Sequence, residues 1–183
     1  MDVVVNIRLR SELMTIEKQN TTTLASICLV LLRELRAEHG VHQSEIADWI
    51  GKTTSAWTKI EAGQCVLPMG IFIRVCAGFP VMPSALLATA ERYATLLSSY
   101  GWTLQTSGLR MRDDGLLLLA QEYWLSPGGR SAMQCRWKFT SVLNGPTHNA
   151  DNSVDLAAVF KFVVDTAFRD MQLSAPLEGD GSA

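Results

Sequence analysis

The run Gln43-Ser44-Glu45-Ile46-Ala47-Asp48-Trp49-Ile50-Gly51-Lys52-Thr53-Thr54-Ser55-Ala56-Trp57-Thr58-Lys59-Ile60-Glu61-Ala62-Gly63 decides how the rest of the chain is read. Ile46, Ala47 and Ile50 recur at helical spacing on one face. Gly51 then stops that helix, because glycine accepts the left-handed conformation at a helix C-terminus. Thr53 follows as the N-cap of a second helix. Trp57 and Ile60 put an apolar stripe on this helix, and Gly63 ends it. The small side chain of Ala47 lets the two helices approach closely. The spacing predicts two short helices joined by a tight turn.

At about 100° per residue, Trp57, Ile60 and Glu61 fall on one side of the second helix, and Ser55, Thr58, Lys59 and Ala62 on the other. The outward side is short, polar and singly basic. Such a helix can enter a major groove without steric conflict, its hydroxyls and lysine meeting base edges and phosphates. The pairing is the helix-turn-helix pattern. By itself it leaves open a solvated helix face in an ordinary bundle.

The flanks carry more. Leu32-Arg33-Glu34-Leu35-Arg36-Ala37-Glu38-His39-Gly40-Val41-His42 precedes the run, and the run closes on Ile60-Glu61-Ala62-Gly63. With helix 1, the Gly40 break, Gln43 opening helix 2 and Gly51 at matching spacing, residues 24 to about 83 resemble the lambda-repressor-like, or Cro/repressor-type, helix-turn-helix family. The resemblance implies that Gln43 binds a backbone phosphate and braces the recognition helix. It implies that Thr53 touches phosphate and that Thr54, Ser55 and Lys59 occupy base-reading positions, with Thr58 beside them. Gln64 is the polar residue that remains just after the recognition helix, where relatives contact phosphate. Arg36 and Glu61 match a pair that forms an internal salt bridge in relatives, a structural role.

The chain also departs from the family. Cys65, Val66, Leu67 and Met69 are apolar where relatives often carry polar or basic residues. Six basic residues (Arg33, Arg36, Lys52, Lys59, Arg74, Arg92) face six acidic ones (Glu34, Glu38, Glu45, Asp48, Glu61, Glu91) between positions 22 and 100. Phosphate contacts dominate the affinity of DNA-binding proteins, so modest affinity per subunit is expected, raised by dimerisation. His42 stands where relatives often place a hydroxyl N-cap. A cap is the main expectation for it, and a pH-sensing role the lesser one.

Helix 1 carries a second message. Leu24, Ile27, Cys28, Leu31 and Leu35 form the stripe for helices 2 and 3, yet Leu29 and Val30, on other sides, are apolar too. A helix apolar nearly all round is buried nearly all round. Helix 1 therefore needs a further neighbour, either the C-terminal region or a second subunit. Helices 4 and 5 are predicted from Pro68 to Phe79 and from Pro83 to Tyr100, with Pro83 in a first turn.

The remainder is less patterned. Val3, Val5, Ile7 and Leu9 alternate with their neighbours, as an edge strand or a mobile arm would. Gly115 to Trp124 favours helix by composition, although Asp113-Asp114-Gly115 could also turn a hairpin. Ser126-Pro127-Gly128-Gly129 and Asn144-Gly145-Pro146 read as turns, and 133–140 as a strand. Leu156, Val159, Phe160, Val163, Val164 and Phe168 mark one last helix over 154–170. Trp102, Tyr123, Trp124, Trp137 and Phe139 fit a core better than a ligand pocket. Residues 101–170 match no recognised family.

The 183 residues carry 16 Lys and Arg against 18 Asp and Glu, a net charge of −2 that exerts no global pull on nucleic acid. The four cysteines form no CxxC pair, and His39, His42 and His148 do not fall at zinc-ligand spacing from them. Reduced, mostly structural thiols fit a cytoplasmic protein. No apolar run reaches the roughly 18 residues of a membrane span, and the N-terminus lacks a signal-peptide pattern. Met14 could be an alternative start. A self-cleaving repressor-type protease would need a serine–lysine dyad and a cleavable linker. Neither stands out, and no other nucleophile–base or paired-carboxylate arrangement suggests an enzyme.

The fold class expected is mainly α with a small α+β C-terminal part, a five-helix lambda-repressor-like bundle followed by a mixed hairpin and helix module. Four regions are expected: an N-terminal arm or edge strand at 1–20, the helix-turn-helix domain at 21–100, a dimerisation or sensing module at 101–171 and a flexible tail at 172–183. The expected function is sequence-specific transcriptional regulation on pseudo-palindromic double-stranded DNA by a homodimer, with no cofactor, metal or membrane. A protein partner through helix 1 or the C-terminal module is a further expectation. The alternative is an antitoxin or interaction adaptor that uses the same fold as a scaffold.

Overall fold

The computed structural model describes residues 20–134 and 141–175. Thr21–Thr23 forms strand β1 and runs directly into helix α1, Leu24–His39. The Thr23 hydroxyl caps α1, accepting from the Ser26 N–H at 3.1 Å, and Gly40 ends it at φ 64°. Helices α2 (Gln43–Ile50), α3 (Thr54–Glu61), α4 (Met69–Gly78) and α5 (Pro83–Ser99) follow, with Pro83 in the first turn of α5. Strand β2 (Thr103–Gln105) returns to pair in parallel with β1, Thr22 opposite Leu104. The C-terminal region then holds α6 (Gly115–Leu125), α7 (Pro127–Gln134), the short antiparallel pair β3 (Thr147–His148) and β4 (Val154–Asp155), α8 (Ala158–Val164) and α9 (Thr166–Ser174). The molecule is mainly α with a small β component, as its patterning predicts.

One apolar cluster joins the two halves. Ile27, Val30, Leu31 and Leu32 of α1 are wholly buried among side chains that include Leu86 and Leu97 of α5, Leu116 and Ala120 of α6 and Phe160 of α8. α1 packs on α3 and α5 and also on α6. The neighbour that its all-round apolarity demands is the chain's own C-terminal region. Of the two neighbours expected for helix 1, the C-terminal region or a second subunit, the first is the one found among the described residues. Tyr93 of α5 stacks on Phe160 with ring centroids 3.7 Å apart and accepts from the Ala157 N–H. Burial pushes its phenol up to about 12. Trp102, Tyr123 and Trp124 are core residues, and Trp137 and Phe139 lie outside the described residues.

The helix favoured from Gly115 onward is present: the Asp114 carboxylate accepts from the Leu117 N–H at 3.1 Å and caps α6. Other readings of the C-terminal region are corrected. Pro127-Gly128-Gly129 is the first turn of α7, which continues through Met133 and Gln134. The rest of the expected strand, 135–140, lies outside the described residues. The single helix over 154–170 is instead β4 followed by α8 and α9, broken at Asp165, whose side chain accepts from the Phe168 N–H at 2.9 Å. The expected tail begins too early, because α9 runs to Ser174. The strand or arm read at 3–9 also falls outside the described residues.

Cys28 and Cys76 are buried, and burial pushes their thiols up to about 12 and about 11; Cys65 is exposed. Among the described residues no single helix is long and apolar enough to cross a membrane.

Candidate nucleic-acid interface

The turn between α2 and α3 is built by three residues. Gly51 takes φ 65°, a conformation that side chains resist, and its N–H and that of Lys52 close onto the last carbonyls of α2. Thr53 caps α3, its hydroxyl accepting from the Ala56 N–H at 3.2 Å. At the other end of α2, the Glu45 carboxylate accepts from the His42 N–H at 2.7 Å. Beneath α3, Trp57 is 0% and Ile60 6% exposed. These anchors set the face above them: Thr53, Thr54, Ser55, Thr58 and Lys59 are all exposed, and so is Gln64 just beyond the helix. Among the described residues the ammonium of Lys59 has no partner.

A polar brace underlies that face. Glu61, almost wholly buried, accepts from Arg36 Nε at 2.7 Å and Nη2 at 3.3 Å, a two-pronged ion pair. The same carboxylate accepts from Gln43 Nε2. Gln43 Oε1 in turn accepts from the Thr58 hydroxyl at 3.0 Å, which also lies 2.9 Å from the Thr54 carbonyl. Arg36 Nη1 donates to the Val41 carbonyl at 3.2 Å, tying the α1–α2 connection into the network.

The brace sorts the candidate residues chemically. An amide nitrogen has two hydrogens; Gln43 spends one on Glu61 and keeps one, at the N-terminus of α2, where the helix dipole also favours an anion. The Thr58 proton is committed inward, so this hydroxyl can only accept from outside. Thr54, Ser55 and Lys59 make no side-chain hydrogen bond among the described residues and present their groups outward. Arg36 and Glu61 face each other beneath that surface.

Sequence patterning misses the contacts that hold α3 from its far end. Gly63, at φ 72°, stands so close to α6 that a Cβ there would overlap Leu117 Cδ1. Gln121 of α6 donates to the Ala62 carbonyl at 3.4 Å. α6 is itself fastened to α1. The fully buried Asp114 accepts from the Ser26 hydroxyl at 2.5 Å and the Thr22 hydroxyl at 3.0 Å. Burial raises its pKa, while the bonds from Ser26, Leu117 and Thr22 oppose the rise. Trp124 Nε1 donates to Glu34 at 2.8 Å, and the Arg33 guanidinium lies 3.8 Å from the centre of the Trp124 ring. Burial lowers the pKa of Arg33.

Residues 30–90 match the family model of a helix-turn-helix domain, of the repressor-like kind that the sequence resembles. The match takes in α2, the Gly51 turn and α3 and leaves the C-terminal region unassigned. No curated protein and no solved structure matches the chain.

Proposed function

We propose that the protein is a sequence-specific transcriptional regulator that binds pseudo-palindromic DNA as a homodimer and acts in the cytoplasm by binding and not by catalysis. A helix-turn-helix domain points to DNA as the partner. The observation that carries the finer reading is the outer face of α3: Thr54, Ser55 and Lys59 are exposed over the buried Trp57 and Ile60 and, among the described residues, make no side-chain hydrogen bond. Lysine reads guanine or phosphate, and short hydroxyls read several base edges, so this set can discriminate sequence in a major groove. Gln43 and Thr53, with Gln64, supply uncharged donors to phosphate on either side, which positions the reading helix. One such unit makes few phosphate contacts, and two placed roughly 34 Å apart on one side of the duplex would add their contacts.

The test is selection from a pool of random duplexes, followed by gel shifts on the recovered sequence. The expected product is a two-fold-related site with half-sites about one helical turn apart. Lys59→Ala combined with Ser55→Ala should erase the preference for that site over scrambled DNA. A selected site still preferred by the double variant would refute the reading face. The adaptor or antitoxin alternative rests on the near-neutral net charge of −2 and on the apolarity of helix 1, and the second of these is a surface occupied within the chain.

A further inference from the structure

The connection between α3 and α4 is the place where this domain lacks the charge that DNA binding calls for. Cys65, Val66 and Met69 are exposed there, Val66 to 84%. The structure brings a different segment to the same place. Residues 108–112, in the connection from β2 to α6, line one open groove of about 580 Å³ together with Gln64, Cys65, Val66 and Leu67. The two segments are tied from behind, since Gln121 reaches both the Ala62 carbonyl, at 3.4 Å, and Met111 Sδ, at 3.9 Å. The backbone N–H groups of Gln64 and Cys65 close onto the Lys59 carbonyl at 2.9 and 3.2 Å, which holds the start of the α3–α4 connection against the C-terminal end of α3, where it shares the groove with residues 108–112.

That turn is basic on its outer side. Arg110 and Arg112 are exposed, and the two neighbouring carboxylates do not cancel them both. Asp113 pairs with Arg110 at 2.7 Å, and Asp114 is buried on Ser26 and Thr22. Among the described residues Arg112 has no ion-pair or hydrogen-bond partner. We propose that Arg110 and Arg112 form a phosphate contact beside the C-terminal end of α3, by which the C-terminal region supplies the DNA-backbone charge missing from residues 65–69. The partner is the phosphodiester backbone of duplex DNA, and Arg112 is the principal contact because Arg110 is already paired with Asp113. The inference rests on the reading of α3 as a DNA-facing helix.

Each phosphate neutralised steepens the dependence of log affinity on log salt by about 0.9. The experiment measures binding of the full chain to a 30-base-pair duplex of mixed sequence across a salt series. Its variants are Arg112→Ala, Arg112→Lys, the double Arg110→Ala/Arg112→Ala, and Lys59→Ala as a control on α3 itself. Arg112→Ala should flatten the slope by about 0.9, so that raising salt from about 50 to about 200 mM costs the wild type roughly three- to fourfold more affinity than the variant. Arg112→Lys should restore the slope, and the double variant should be flatter still. All variants should keep close to the wild-type melting temperature, because these side chains are exposed. Wild-type slopes in Arg112→Ala and in the double variant, with a flattened slope in Lys59→Ala, would overturn this inference and leave the function standing. No salt-dependent binding of the wild type to any duplex would overturn both.

Discussion

Removing either member of the Arg36–Glu61 pair should destabilise the fold, and the two losses should not add. The side chains are 15% and 1% exposed, so the pair is not the loose surface kind whose worth is near zero. Charge centres about 4 Å apart at an effective dielectric constant near 20 attract by about 4 kcal/mol. Desolvation of the guanidinium offsets part of this, which leaves a coupling of about 2–3 kcal/mol. Glu61→Ala should cost about 3 kcal/mol, because it strands a nearly buried guanidinium and leaves the Gln43 amide without its acceptor. Arg36→Ala should cost a similar amount, with the Glu61 carboxylate left on Gln43 alone. Urea denaturation of the wild type, both single variants and the double variant closes the cycle, provided that the slope with denaturant stays constant. Glu61→Gln sharpens the test. Its oxygen can still accept from Arg36 Nε, but its NH₂, in the place of Oε2, meets both Arg36 Nη2 and the Gln43 NH₂, so one prong of the ion pair is lost and Gln43 must turn over, with Thr58 as its new acceptor. The outer face of α3 would then change at nearly wild-type volume. A coupling below about 0.5 kcal/mol, the level of exposed pairs, would refute the brace.

Two further outcomes follow from the contacts of α6. Gly63→Ala should cost about 1–2 kcal/mol from its left-handed backbone alone, a fall of several degrees in melting temperature for a chain of this size; because the added methyl also meets Leu117, combining it with Leu117→Ala should cost less than the sum of the single variants, and strict additivity would show that α6 does not press on the end of α3. The pKa of Asp114 is raised above its ordinary 3.8, so the ionised carboxylate weakens the fold. That penalty is absent at acid pH, grows as pH rises from 3.8 through the folded-state value, and then levels off. The stability of the wild type minus that of Asp114→Asn, measured by denaturation across this range, should therefore decline with rising pH; a difference that grows toward neutrality would show that hydrogen bonding outweighs burial.

The helix-turn-helix half of the fold is legible because local chemistry marks it at each boundary. Gly40, Gly51 and Gly63 stand at left-handed turns, Thr53 and Pro83 open helices, and the stripes between them have one clear period. The C-terminal half hides its boundaries. Gly128 and Gly129 look like a turn, yet they sit inside α7 because a Cβ on the first would overlap Gln172 and on the second the Tyr123 carbonyl. That is a packing reason with no local signature. The stripe from Leu156 to Phe168 is unbroken in sequence while the backbone breaks at Asp165, because an apolar face can continue across a kink when both helices cover the same core. Asp114 bonds to residues 88 and 92 positions away, and no local window contains both ends. For the outer surface, residue types and helical phase place Thr54, Ser55 and Lys59 outward. That the Thr58 hydroxyl reaches Gln43, and that Arg112 lines one groove with Gln64, depends on tertiary placement alone.

The fastening of α6 along α1 and under the end of α3 also constrains how this chain can diversify. Many modular proteins recombine by exchanging whole cassettes at a linker. Here a cut after Tyr100 would strip Ser26 and Thr22 of Asp114, Glu34 of Trp124 and Gly63 of Leu117. A foreign sensor grafted at that point would inherit an open seam and would have to rebuild the same three abutments before α3 stood firm again. Variation tolerated by this architecture should therefore concentrate in point changes on the exposed rim and leave the junction intact.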